Sequence, residues 1–185
     1  MSVRLTTTLL CMTLAGCGTA TPPPDTAQLP FGAFGSFDND VGAANQASWA
    51  FASPTRTRND PVDAARACAA VDFLAGELSS NPRWLTLSPL TKQAMLQARI
   101  DMRRALGITA DAPSQMVVGA LLQFAAAWQF GNQLAAMQAL AVPAFTQPPP
   151  QTLQILNNMP AIQSANVASI DAANQMLPGG DVAHR

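Results

Sequence analysis

An all-α fold is predicted for this chain: a compact bundle of about five to six helices behind an extended Pro/Gly-rich N-terminal tether. Alanine is abundant, tyrosine is absent, and no run of alternating β-branched residues appears in the 185 residues. Beyond residue 38 the apolar residues recur at helical spacing instead, and prolines and glycines stand where helices start and stop.

Taken in order, DNDVGAANQASWAFASP predicts a first helix from about Asn39 to Ala52, started by Asp38 or Asn39 and closed before Pro54. Asn59-Asp60-Pro61 is the next start signal, a capping aspartate with proline at the first helical position. That helix is expected to run to about Leu78. Ala67, Val71, Leu74 and Leu78 form one apolar stripe and Val62, Ala69 and Phe73 a second, which predicts packing on two sides. Ser88-Pro89 opens a third helix ending near Leu106, before Gly107, with Ala94, Met95, Ala98, Met102 and Leu106 facing the core. Lys92, Arg99 and Arg103 gather on another side of it. Such charges usually mark a solvated face; the alternative is a patch attracting anionic lipid headgroups or glycan.

The fourth segment, from about Ala112 to Leu140, is the longest and most apolar, with Val117, Leu121, Phe124, Trp128, Ala135 and Ala139 at helical spacing and Val118, Leu122, Phe130 and Leu140 on other sides. A helix apolar all round is buried in a core or in a membrane. Gln123, Gln129, Asn132, Gln133 and Gln138 speak against lipid, where each amide would need a partner. The expectation is a central core helix kinked at Gly131. After FTQPPPQ, helices are expected from Gln151 to Asn158 and from Ala161 to Met176, and the tail PGGDVAHR is expected to fray. AANQ occurs twice, from Ala43 and from Ala172, which chance explains in so alanine-rich a chain.

Charged residues make up 11% of the chain, against about 25% in ordinary soluble domains. From Ala112 to Ile170 there is no Asp, Glu, Lys or Arg, so that stretch must be covered by the protein itself or by a partner. Ten basic residues against eleven acidic ones leave no basic excess of the kind nucleic acid requires. One histidine and the single cysteine of the helical region, Cys68, cannot supply a zinc site. No metal or cofactor is expected.

The N-terminus carries the most specific signal. Met1-Ser2-Val3-Arg4 gives a positive start, and the apolar run from Leu5 to Leu14, diluted by threonines, is too short to span a bilayer. Leu14-Ala15-Gly16-Cys17 then resembles the lipobox of bacterial lipoproteins at all four positions. The resemblance implies cleavage before Cys17, a diacylglycerol on its sulfur and acylation of its new amine, so that Cys17 becomes a permanent membrane anchor. With Gly18 rather than aspartate after the cysteine, the resemblance further implies the outer membrane, facing the periplasm. An ordinary signal peptide cut after Ala20 is the alternative. The resulting organisation is a signal peptide over residues 1–16, a lipidated cysteine and flexible tether over 17–37, a helical domain over 38–177 and a disordered tail over 178–185. Pro22-Pro23-Pro24 makes the tether extended, a stalk lifting the domain off the membrane. In FGAFGSF, Phe31, Phe34 and Phe37 either dock on the domain or form an exposed aromatic edge for a partner or the lipid surface.

Once Cys11 leaves with the signal, Cys68 has no intrachain partner except the lipidated Cys17, and its apolar helical surroundings predict a packed thiol. The sole histidine, His184, lies in the tail, which makes a Ser–His–Asp or Cys–His arrangement improbable. Asp60, Asp63, Asp72 and Glu77 lie on or near one helix and are explained better as caps and surface charges than as a catalytic carboxylate pair. The sequence therefore predicts a non-catalytic envelope lipoprotein: either a structural or protein-interaction module, meeting an envelope protein or its own copy, or a holder of lipid or another apolar ligand. A cavity lined by Met95, Met102, Phe124 and Trp128 would favour the ligand; a filled core with an exposed uncharged patch would favour the partner.

Overall fold

The computed structural model describes residues 25–176; the expected signal peptide, Cys17, the triple proline and the tail with His184 lie outside the described residues. Seven helices and no strand are found among them: α1 (Asn39–Phe51), α2 (Pro61–Ser80), α3 (Pro89–Leu106), α4 (Ser114–Gln129), α5 (Gln133–Ala139), α6 (Pro149–Asn157) and α7 (Gln163–Met176). The all-α bundle stands as the sequence predicts. Its start signals act locally: the Asp38 carboxylate accepts from the backbone N–H groups of Asp40 and Val41, and Asp60 accepts from that of Asp63. Gly107 ends α3 in the left-handed conformation at φ 66°, where its N–H reaches the Arg103 and Arg104 carbonyls.

The centre of the bundle is α2, not the long apolar segment expected there. Fourteen of its twenty residues are buried, and it packs against α1, α3, α4 and α6. Alanines make this placement work: Ala64, Ala65, Ala67, Ala69, Ala70 and Ala75 let neighbouring backbones approach closely on several sides. Larger groups fill the gaps between layers, with Val71, Leu74, Leu78, Met95, Met102, Leu121 and Phe124 fully buried, each contributing about 1.5–3 kcal/mol relative to exposure. On one side α7 packs against both α1 and α3 and closes a ring with α2; on the other, α4 covers α2 with α5 beside it.

The expected fourth helix is two helices. Gly131 sits at φ 74°, in the left-handed region, and the Asn132 N–H turns back to the Ala127 carbonyl at 2.9 Å. The Asn132 side chain then caps α5 by accepting from the Ala135 N–H. A left-handed residue followed by a new cap ends a helix rather than kinking it. The consequence is exposure: Phe130 is 85% and Leu134 72% accessible at the break.

The chain from Asp25 to Phe37, expected within a free tether, lies against the bundle. Ala27 is buried, Leu29 and Phe34 pack on the core, and Phe34 meets Phe73 with ring centroids 6.4 Å apart. Glycines at 32 and 35 take φ values of 72° and 71°, so the FGAFGSF stretch turns instead of extending. Phe31 and Phe37 stay outside, 5.8 Å apart and 78% and 91% accessible. Phe34 thus docks on the domain, as one reading of the motif expects, while Phe31 and Phe37 remain on the surface.

Candidate functional site

Gly76 positions the docked strap. A Cβ at this position would come 2.2 Å from the Asp25 carbonyl oxygen and 2.7 Å from the Thr26 Cα, so only glycine leaves room for the crossing backbone. Around this notch the Asp25 carboxylate accepts from the Ser114 N–H, and Arg99 Nη1 donates to the Asp25 carbonyl at 2.8 Å. Gln115 Oε1 accepts from the Gln28 N–H at 2.7 Å, and Thr26 reaches Glu77 at 3.3 Å. The strap thus ties the start of α4 to α2 and α3.

Beneath it lies a charge pair that the sequence reading placed on the surface. Arg103 Nε and Nη2 donate to Asp72 at 2.7 and 2.9 Å, and the guanidinium also reaches the Ala110 and Ala112 carbonyls and Ser114 Oγ. Both side chains are buried. Arg99 is only partly accessible, and burial pulls its pKa down. Neither arginine belongs to a solvated face or an open cationic patch: both are occupied by bonds within the fold. Lys92 is partly buried, two helical turns away on α3. The signal for the pair was present in the sequence, because Asp72 interrupts an otherwise apolar run and a buried carboxylate requires a partner.

The four acidic residues do not converge. Asp60 caps α2, Asp72 holds Arg103, and Glu77 accepts from Asn81 and Thr26. The Asp63 pKa is raised, first by burial and then by Asp60. Among the described residues no group of three or more His, Cys, Asp or Glu side chains is placed to hold a metal. Cys68 is fully buried, and desolvation drives its pKa far above that of a free thiol. Its sulfur is a packing atom.

A second polar cluster fixes one end of the bundle. Trp84 Nε1 donates to Asp40 at 2.9 Å, while Arg83 bridges Asp38 and Asp40 and covers the Trp84 ring at 4.5 Å. The 3-10 turn Pro82–Trp84 is thereby held to the start of α1. Burial raises the Asp40 pKa, only partly opposed by the Trp84 hydrogen bond; the Arg83 hydrogen bond lowers that of Asp38. Just outside this corner stand Leu85 and Leu90, each 76% accessible.

At the far end of α4, Arg66 Nη2 donates to Gln129 Oε1 at 2.9 Å, tying the α4 C-terminus to the early part of α2. Phe130 and Leu134 project just beyond, flanked by exposed Gln129, Asn132 and Gln133. Trp128 is half-buried and stacks on buried Phe124 at 5.6 Å. Met95, Met102 and Phe124 belong to the continuous core. The small pocket between Ala50, Thr57, Ala64, Ala67 and Ile162 has room for no more than a water molecule. Shallow grooves run past Ala105 to Pro160, and a deeper recess beside α3 is lined by Arg99, Ile100, Arg103, Arg104, Ile108 and Ala110. No family model matches the chain, and comparison with curated proteins and with solved structures gives no significant match.

Proposed function

We propose that the chain is a lipid-anchored envelope lipoprotein, held through Cys17 at the periplasmic face of the outer membrane, whose helical domain is a protein-interaction module. The anchoring half rests on Leu14-Ala15-Gly16-Cys17 and the short apolar run before it. The interaction half rests on one observation: Phe130 and Leu134 stand exposed on a segment without a charged residue from Ala112 to Ile170, while the core beneath is filled. Two large apolar side chains rimmed by neutral amides suit the desolvated centre of a protein interface. We assign the domain no catalytic step and no cofactor. The apolar-ligand alternative has less support, since Met95, Met102 and Phe124 pack into the core and line none of the pockets described above.

The test separates the two halves. Cys17→Ala in the original host should leave an unprocessed or acyl-free form; a membrane-held mature product of unchanged mass would sink the anchor. Phe130→Ser combined with Leu134→Ser should leave stability within about 0.5 kcal/mol, as exposed substitutions do. In-cell cross-linking from position 133 should then lose its protein adduct. An adduct that persists in the double variant overturns the interaction surface.

A further inference from the structure

The six most exposed large apolar side chains among the described residues, 72% to 91% accessible, fall into two sets at opposite ends of the bundle. At one end α1 begins, α2 finishes and α3 begins, and the Asp38–Asp40–Arg83–Trp84 cluster joins them. Phe37 directly precedes that cluster and Leu85 directly follows it, with the Phe31 ring packed at a tilt against Phe37 and Leu90 in the first turn of α3. At the other end, beyond the sixteen residues of α4, stand Phe130 and Leu134, about 24 Å away along that helix.

Where the chain leaves the fold distinguishes the ends. Asp25 is clamped at Gly76, one helical turn from the end of α2 that leads into the Arg83–Trp84 turn. Cys17 is eight residues earlier, so it can lie no more than about 29 Å from the clamp even at full extension. Without the clamp the tether would run freely to Asp38, the cap of α1, and the domain could tumble above the membrane. With it, bringing the Phe130 end to the lipid would consume nearly the whole leash in running alongside α4. The Phe31 end needs almost none of it.

Resting on the proposal that Cys17 is acylated, we infer that the end carrying Phe31, Phe37, Leu85 and Leu90 is a membrane-contacting face that lies on the bilayer surface. These side chains suit the headgroup–acyl boundary, where apolar bodies are buried while the neighbouring Arg83 guanidinium stays among polar groups. The clamp converts an anchor into an orientation. Phe130 and Leu134 are thereby presented away from the lipid.

The experiment uses the full lipoprotein, made in a host that processes it and reconstituted into phosphatidylethanolamine–phosphatidylglycerol vesicles. Buried Cys68 leaves Leu90→Cys and Leu134→Cys as selective labelling sites. Energy transfer from a dye at each site to a headgroup-labelled lipid should be several-fold greater at position 90. Lengthening the leash with a Gly/Ser insertion after Thr21, which leaves the bundle untouched, should shrink that difference, as should Gly76→Leu. Phe31→Asn with Phe37→Asn should lower transfer at position 90 while the acyl chains keep the protein on the vesicles. Equal transfer at the two sites of the acylated protein overturns the inference. So does a difference unaffected by both the insertion and the aromatic substitutions, and so does cross-linking of position 90 to a second copy in place of lipid contact. A mature chain without acyl groups that fails to bind vesicles would fail the anchor reading itself, and the orientation with it.

Discussion

Arg103 and Asp72 meet out of water, their side chains 5% and 0% accessible, through two hydrogen bonds of 2.7 and 2.9 Å between α3 and α2. Such a pair is a poor stabiliser relative to apolar packing, but it is costly to break from one side. Arg103→Met should therefore destabilise the domain by about 3–5 kcal/mol, since Asp72 is left charged and alone. Asp72→Leu with Arg103→Met should cost less than Arg103→Met alone in urea unfolding. If the two substitutions simply add, the pair is not coupled as described.

Cys68 lies at the centre of α2 with no exposed surface. Thiol reagents should label it slowly in the native protein and quickly in denaturant. Cys68→Ser should cost about 1–3 kcal/mol, because its hydroxyl enters a site built for sulfur. Rapid labelling of the folded protein would mean that α2 opens on its own.

Phe124 and Trp128 separate core from rim along α4. Phe124 has no exposed surface, while its stacking partner Trp128 is half out. Phe124→Ala should cost about 3–5 kcal/mol, the range for a buried aromatic truncated to a cavity. Trp128→Ala should cost distinctly less, and equal losses in thermal unfolding would contradict the burial difference.

Asp38 and Asp40, two residues apart, should titrate in opposite directions from the ordinary aspartate value of 3.8. Asp40 is raised by burial, so the folded state holds its proton at a pH where the unfolded chain has released it. Its contribution to stability grows as pH falls through the folded midpoint and levels off below the unfolded one. Asp38, lowered by Arg83, contributes fully above the unfolded value and loses its contribution as pH falls through the folded one. Relative to Asp40→Asn, the natural protein should thus gain stability as pH drops from neutral toward about 4, the unfolded aspartate range. Carboxyl NMR titrations should show the Asp40 midpoint above that of Asp38; the reverse order would refute the assignment.

Much of the helical architecture was legible because its signals are local. Asp38, Asp60 and Gly107 act on their own backbone neighbours, and the helices they bound came out near their expected limits. The misread features depend on residues distant in sequence. Hydrophobicity pointed to the 112–140 segment as the centre, but small side chains decide which helix can be surrounded, and alanine-rich α2 can be. Periodicity carries across Gly131 and suggests only a kink there, whereas its left-handed backbone ends the helix. Arg99 and Arg103 looked solvated on α3 alone; their partners Asp25, Asp72 and Ser114 come from other parts of the chain. A glycine inside a helical pattern often marks close packing. Gly76 was the available clue to the docked strap.

The ring of α1, α2, α3 and α7 has a consequence for the order in which the protein can assemble. Its closing member is the last helix among the described residues, Gln163–Met176, which packs against both α1 and α3. A polypeptide emerging from its N-terminus can pair α1 with α2 and α2 with α3 by short connections. The remaining apolar faces of α1 and α3 must then wait, uncovered, for α7. Until then Asn166 cannot reach the Phe51 carbonyl, nor Gln175 the Ser88 N–H and Thr91 hydroxyl. A nascent chain halted before Gln163 would remain sticky and open to chaperones, and arrival of the fourteen residues of α7 turns it into a finished domain.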